Sequence, residues 1–286
     1  MAPGVGVTQT VESTVRPTPP SGGPTTARRR RPVPDWVIGL AGVATMLVLW
    51  DLVVRSGAVS TDSLPYPGTT LLRVGELLVD PTFLTEVAHT LWAWLIAMAA
   101  ASAVGIPLGL TLGYFSALNR PASSVVHAGR SIPSSAFLPI AILLFGLGTQ
   151  MKVSLAIYAI FWPILLNAMY GVRDTEPLML ATGRSMGWGR LRLLRRVVLP
   201  SAAPSIATGL RVASSTALIV VLSAELLGAT SGVGNVITTY QQAQRPDFVY
   251  AGILLVGVLG MLLYYGFNLA ERLIVPWGQA QREGGK

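Results

Sequence analysis

Few of the side chains that carry out chemistry are present, and those few are scattered. Cysteine is absent, so there is no thiolate nucleophile, no thiolate metal site and no disulfide framework. The two histidines, His89 and His127, are too far apart for a zinc-binding helical pair. The lysines are Lys152 and Lys286, and neither stands in a G-x-x-x-x-G-K-[ST] setting, so the chain carries no P-loop for ATP. Gly232 and Gly234 begin a G-x-G, but Ile237 occupies the place of the third glycine in a dinucleotide fingerprint. No catalytic triad, metal cluster or cofactor is expected. What remains are polar groups inside apolar stretches: Glu225, Asn167, Ser214, Ser215 and Thr216. A carboxylate in such a stretch is costly and often functional. Glu225 reads as a gate in a passage, as a bond to a neighbouring helix, or as a carboxylate satisfied by Ser223 or by backbone. Asn167, Ser214 and Ser215 read as passage lining or as bonds between helices.

The stretches that hold them belong to a membrane. Only 12% of the 286 residues are charged, against about a quarter in a soluble domain, and mean hydropathy is +0.56. Six segments are long and apolar enough, or nearly so, to span: Trp36–Val54, Val87–Tyr114, Ser124–Gly148, Val153–Gly171, Ser205–Leu227 and Phe248–Ala270. The third is interrupted by Arg130, Pro133 and Pro139. The fold class is therefore an all-α polytopic membrane bundle of about six transmembrane helices. With the amino terminus inside, 17 of the 21 Lys and Arg residues fall on the inner side, Arg130 among them. Arg55, Arg73, Lys152 and Arg245 fall outside. This places both termini in the cytoplasm of a multi-pass plasma-membrane protein, and it accounts for the basic balance without nucleic acid. Arg211 is expected to snorkel to inner headgroups, His89 to sit at the outer interface, and Trp92 and Trp94 to form an aromatic belt.

The chain divides into a disordered tail over 1–34, a first span with an external amphipathic segment over 35–84, a core over 85–275 and a tail over 276–286. The external segment puts Leu71, Leu72, Gly75, Leu78 and Val79 at helical spacing. Within the core, the inner loop 172–204 has the most distinctive pattern. Asp174 and Thr175 suit an N-cap and Pro177 a first helical turn. Leu178, Met179, Thr182 and Met186 can share a face, and Gly187 and Gly189 supply a break. A second short helix is expected over Arg190 to Leu199, with Leu191, Leu194 and Val198 on one side, Arg192, Arg195 and Arg196 on the other, and Pro200 as its stop. Two short helices meeting at a glycine corner make a knob for another protein, or a basic surface helix against lipid.

Gly187, Val197, Leu199 and Pro200 resemble the G-x9-I-x-L-P signature of the loop that marks membrane subunits of binding-protein-dependent ABC importers. The runs IPSSAFLPIAILLFGLG, FWPILLNAMYGVRD, GRSMGWGRLRLLRRVVLPSAAP and AELLGATSGVGNVI are similar to the nitrate, aliphatic-sulfonate and taurine branch. The resemblance covers about residues 64 to 275. It implies a type I importer permease of the MetI-like kind with no chemistry of its own. Its expected partners are cytoplasmic ABC ATPase subunits that bind the ATP, an extracytoplasmic solute-binding protein, a second permease copy and the bilayer. The coupling residues it marks are Ala181, Thr182, Gly183, Arg184, Ser185, Met186, Gly187, Val197, Leu199 and Pro200. The sequence departs from the family where Ala181, Thr182 and Gly183 replace Glu-Ala-Ala, which removes the usual docking carboxylate. A sulfonate, taurine or nitrate is the implied solute, and a thiamine-precursor pyrimidine or other small aromatic is the alternative. A carrier driven by an ion gradient is the rival from another class.

Overall fold

The computed structural model describes residues 34–275; the tail expected over 276–286, and all but the last residue of the tail expected over 1–34, lie outside them. The described elements are helical: α1 (Asp35–Arg55), α2 (Pro67–Val79), α3 (Pro81–Tyr114), α4 (Ser116–Ser131), α5 (Leu138–Phe145), α6 (Thr149–Arg173), α7 (Pro177–Ser185), α8 (Arg190–Leu193), α9 (Leu199–Leu226), α10 (Val233–Gln242) and α11 (Pro246–Ile274). Among the described residues, five helices are long and apolar enough to cross a membrane, or six if one bent pair counts as a span.

The bent pair is the interrupted third segment. Pro133 bars the preceding residue from helical geometry, and Ile132 is extended there, at φ −83° and ψ 120°. A 3-10 turn over Ser134–Phe137 then leads into α5, which is turned 72° from α4. The break carries Arg130 away from the end where charge counting put it. Gly129 accepts a 2.7 Å bond from the Tyr158 hydroxyl, and Tyr158 is well inside the 25-residue α6.

α3, α6 and α9 pack into one core because their facing residues are small. Ala93, Ala97, Ala101, Ala156, Ala213 and Ala217 are buried at the seam with Ile160, Ile164 and Val221. A methyl on Gly109 would sit 2.5 Å from the Leu165 carbonyl oxygen, and one on Gly171 would sit 2.9 Å from the Ala202 backbone. Lipid gives no hydrophobic drive for helix association, so such close backbone approach supplies it through dispersion. Trp94 belongs to this core and not to an aromatic belt. Its indole N–H donates 3.0 Å to the Ser214 carbonyl, whereas Trp92 is exposed.

α2 is the short helix expected over the external segment: Leu71, Leu72, Leu78 and Val79 are exposed, and the buried residues are Pro67, Thr70 and Leu77. Arg73 reaches Asp247 at 2.8 Å and fastens α2 to α11. One further expectation is corrected. Arg211 does not snorkel. It lies 3.1 Å from Glu271 and 3.2 Å from Asn268, so it pairs α9 with α11.

The seam gives a direct test. Gly109→Val should destabilise the bundle by about 1–3 kcal/mol, because the backbones must part, and it should lower the midpoint of thermal unfolding in detergent. An unchanged midpoint would show that the close approach contributes nothing.

Candidate functional site: an elbow and a buried ion pair joined by one helix

The loop after α6 folds as an elbow. Asp174 ends α6, and Thr175 turns inward, its hydroxyl 3.4 Å from the Gly171 carbonyl. Neither caps α7. Glu176 stands at that position without a side-chain bond, and Pro177 opens the helix. α7 closes on Gly187, whose φ of +72° is the left-handed geometry open to glycine. The Gly187 N–H donates 2.9 Å to Arg184 and the Trp188 N–H 3.0 Å to Gly183. These two bonds satisfy carbonyls that would otherwise be left open, and they define a Schellman stop. Gly183 is small for a separate reason. A methyl there would fall 2.6 Å from Leu193 and 3.3 Å from Trp188.

The second limb is longer than its sequence suggests. Pro200 was expected to end it, yet the helix runs unbroken from Arg190 to Leu226, 37 residues. The reason is a π-helical turn over Leu194–Val198, where the Leu199 N–H reaches back to Leu194. Widening the helix just before Pro200 accommodates the ring and the missing donor. The wider turn also shifts the buried face. Leu193 and Val198 are buried, Leu194 is half-buried, and Leu191 is exposed.

Ala181, Thr182, Arg184, Ser185, Met186 and Gly187 are exposed on the elbow, and Gly183 is buried beneath them. Val197 and Pro200 are half-buried in the wall of a cavity of about 540 Å³, and Leu199 is exposed beside it. Glu176, Met179, Met186 and Arg196 line the same cavity. The Arg196 guanidinium lies 5.7 Å from the centre of the Trp188 ring. The elbow therefore offers a partner an apolar rim (Leu178, Met179, Met186), one carboxylate and several arginines.

The far end of the same rod holds Glu225, which is not free. Lys152 Nζ lies 2.7 Å from its Oε1, and both side chains are wholly buried. The ammonium also donates 3.0 Å to the Ser231 carbonyl. Thr90 donates to the carboxylate at 3.0 Å, and the Gly234 N–H at 3.1 Å. The Thr90 oxygen in turn accepts the Val233 N–H at 2.9 Å, and Glu86 accepts the Gly232 N–H. α3, α6, α9 and the 228–234 loop are thus tied at one point. Gly232, at φ +109°, and Gly234 are required here, because a Cβ on either would run into the Glu225 side chain.

Ser223 does not serve Glu225; its hydroxyl donates to Ile219. The other polar residues of the spans are not gathered with Glu225. Asn167 donates to Pro163 of its own helix, Ser214 is buried in the α3–α9 seam, and Ser215 faces outward. His89 is half-exposed and lies 3.2 Å from Glu86. Lys152, Thr90, Glu86 and Ser231 were missed by sequence reasoning. A signal existed: Lys152 is the sole lysine within the apolar part of the chain.

The pattern that defines the binding-protein-dependent transport system inner membrane components matches residues 105–277, elbow and glycine loop included. The chain belongs to that family. It is a permease of an ABC importer, and the reading as a carrier driven by an ion gradient falls away. The permease is 29% identical over 250 residues to the taurine transport system permease protein TauC of Escherichia coli, covering 85% of this chain and 91% of that one. It is 26% identical to the putative aliphatic sulfonates transport permease protein SsuC of Bacillus subtilis, covering 85% and 88%. It is 28% identical to the formylaminopyrimidine transport permease protein ThiX of Halalkalibacterium halodurans, covering 82% and 94%. The fold is shared with the inward-facing MetNI methionine ABC transporter, at a TM-score of 0.60 and 19% identity over 67% of this chain and 95% of that one. It is also shared with a bacterial alginate ABC transporter, at 0.56 and 15% over 84% and 96%.

The ion pair sets an energetic expectation. Removing one buried partner strands the other charge and costs about 3–5 kcal/mol, whereas replacing both with apolar groups is often near neutral. Lys152→Met alone should therefore sharply reduce folded permease in the membrane. Lys152→Met combined with Glu225→Leu should recover part of it, because the stranded charge is gone while the Gly234 N–H and the Ser231 carbonyl still lack their partners. A double variant as poor as the single one would show that the pair does more than neutralise itself.

Proposed function

We propose that the permease moves a small organic anion, of the sulfonate class, inward through the bilayer, driven by ABC ATPase subunits gripping the elbow. The observation that carries this is the unbroken helix Arg190–Leu226, which joins the elbow rigidly to the Glu225 end. At 1.5 Å per residue the rod is about 55 Å long, enough to link the two membrane faces. The positive-inside distribution supports an elbow facing the cytoplasm and both termini on that side. A binding protein then docks at the opposite end, around α2, α10 and the 228–234 loop, and releases its solute there. ATP is held by the ATPase, not by this chain.

The departure at Ala181 has a structural counterpart. Glu176 lines the elbow cavity and supplies a carboxylate, so docking can rely on Glu176 and the Met179–Met186 rim. Closure of the ATPase dimer moves the elbow, and the rod carries that displacement to the far end. This is one two-state element biased from both sides. A second permease copy completes the passage. Sulfonate as cargo follows the taurine and sulfonate relatives. The ThiX relative supports a pyrimidine as the second reading, and parallel uptake assays with both solutes distinguish them.

The experiment is Gly187→Trp. The left-handed backbone costs a non-glycine residue about 1–2 kcal/mol, and no atom lies within 4 Å to clash with a Cβ. The variant chain should insert normally. In proteoliposomes holding the whole transporter, uptake should fall at least tenfold while ATP hydrolysis becomes insensitive to the loaded binding protein. Wild-type uptake in this variant would contradict the coupling role of the elbow.

A further inference from the structure

The break in the third span opens a cavity of about 460 Å³ that the coupling machinery does not use. Its wall holds Arg130 and Ser134 at the break, Tyr158, Trp162 and Asn167 from α6, and Thr216 from α9. Its depth is fixed by Tyr158, whose hydroxyl bonds Gly129 next to Arg130. Tyr158 is the tenth residue of α6, about 15 Å along the helix from Thr149 and about 22 Å from Arg173. The backbone next to Arg130 is therefore level with the middle of α6, and the Arg130 side chain is exposed at the cavity.

A cation at that depth is costly and calls for a counter-charge. Among the described residues no carboxylate lies within ion-pairing distance of Arg130, and none lines the cavity. The carbonyls ending α4 offset only part of its charge. Two other polar groups in the wall can donate: the Ser134 hydroxyl and the second N–H of the Asn167 amide, whose first goes to Pro163, while the Thr216 hydroxyl is spent on Val212. The Trp162 indole N–H has no acceptor at all. The remaining wall is aromatic and aliphatic. Broken helices around a mid-bilayer cavity are the places where transporters hold solute.

From this we infer that Arg130 and its neighbours form an anion-binding station halfway along the passage, taking the oxyanion head of a small organic sulfonate on the guanidinium and its carbon part on Trp162 and Tyr158. The inference rests on the importer reading of the preceding section. It adds the station, its depth and its residues.

The test uses ethanesulfonate and the permease–ATPase complex purified without the solute-binding protein. Equilibrium dialysis should show saturable binding to the wild type and at least tenfold weaker binding to Arg130→Gln, with Arg130→Lys between them. In proteoliposomes of the whole transporter, Arg130→Gln should lose at least nine-tenths of ethanesulfonate uptake. Absence of saturable binding to the wild type, or equal binding by Arg130→Gln, overturns the station. So does displacement of ethanesulfonate by dihexanoyl phosphatidylglycerol together with undiminished uptake by Arg130→Gln, which would give the cavity to a lipid phosphate. A wild-type transporter that hydrolyses ATP and imports a pyrimidine but neither binds nor imports ethanesulfonate defeats the station and leaves the importer standing. A wild type with no ATP-dependent uptake of any solute defeats the importer reading itself.

Discussion

One buried ion pair fixes the relation of the three central helices. Lys152 and Glu225 have no solvent, so each must have the other. Isolated, either charge would cost several kcal/mol in this setting. Thr90 brings α3 to the same carboxylate, and the glycine loop closes over it with the N–H of Gly234. Hydrocarbon cannot satisfy these groups, so the network is complete or the helices do not meet. Sequence details that look unrelated follow from it. Glycine at 232 and 234 is the space the Glu225 side chain needs.

The same constraint gives the molecule a mechanical axis. The rod that ends at Glu225 begins at the elbow, and a π-helical turn lets it pass Pro200 without breaking. α6 runs alongside it through two close contacts, Gly171 on the Ala202 backbone and Gly209 on the Asn167 side chain. The pair, the seam and the rod make α3, α6 and α9 one body. The third span is built differently: it is broken at Ile132–Pro133 and held to α6 by Tyr158 and the Trp162 ring packed on Gly129.

Much of this was legible in the residues. Apolar run lengths gave the spans, and Gly187 and Pro177 gave the elbow, because a left-handed residue and a helix-opening proline have strong local meaning. What failed had a common cause. Pro200 read locally is a stop, but a change of helix type one turn earlier absorbs it. The fastening of α2 by Arg73 to Asp247, 174 residues away, has no local signal. Lys152, Arg130 and Arg211 were sorted by charge and loop position, a rule blind to ion pairs and helix breaks within the bilayer. The Thr90–Lys152–Glu225 junction joins residues 73 and 135 positions apart, and no spacing rule spans that.

The central claim is that elbow and ion pair move together. The chain has no native cysteine, so spin labels can be placed cleanly at the exposed positions Ser185 and Thr230. Pulsed electron spin resonance on the assembled transporter, nucleotide-free and trapped with ATP, reads the distance between them directly. A rigid rod requires a narrow distribution whose centre stays within about 2 Å between the two states, while labels on two permease copies separate or converge. A shift or broadening of several ångströms within one chain would show that the rod bends, and would contradict the account.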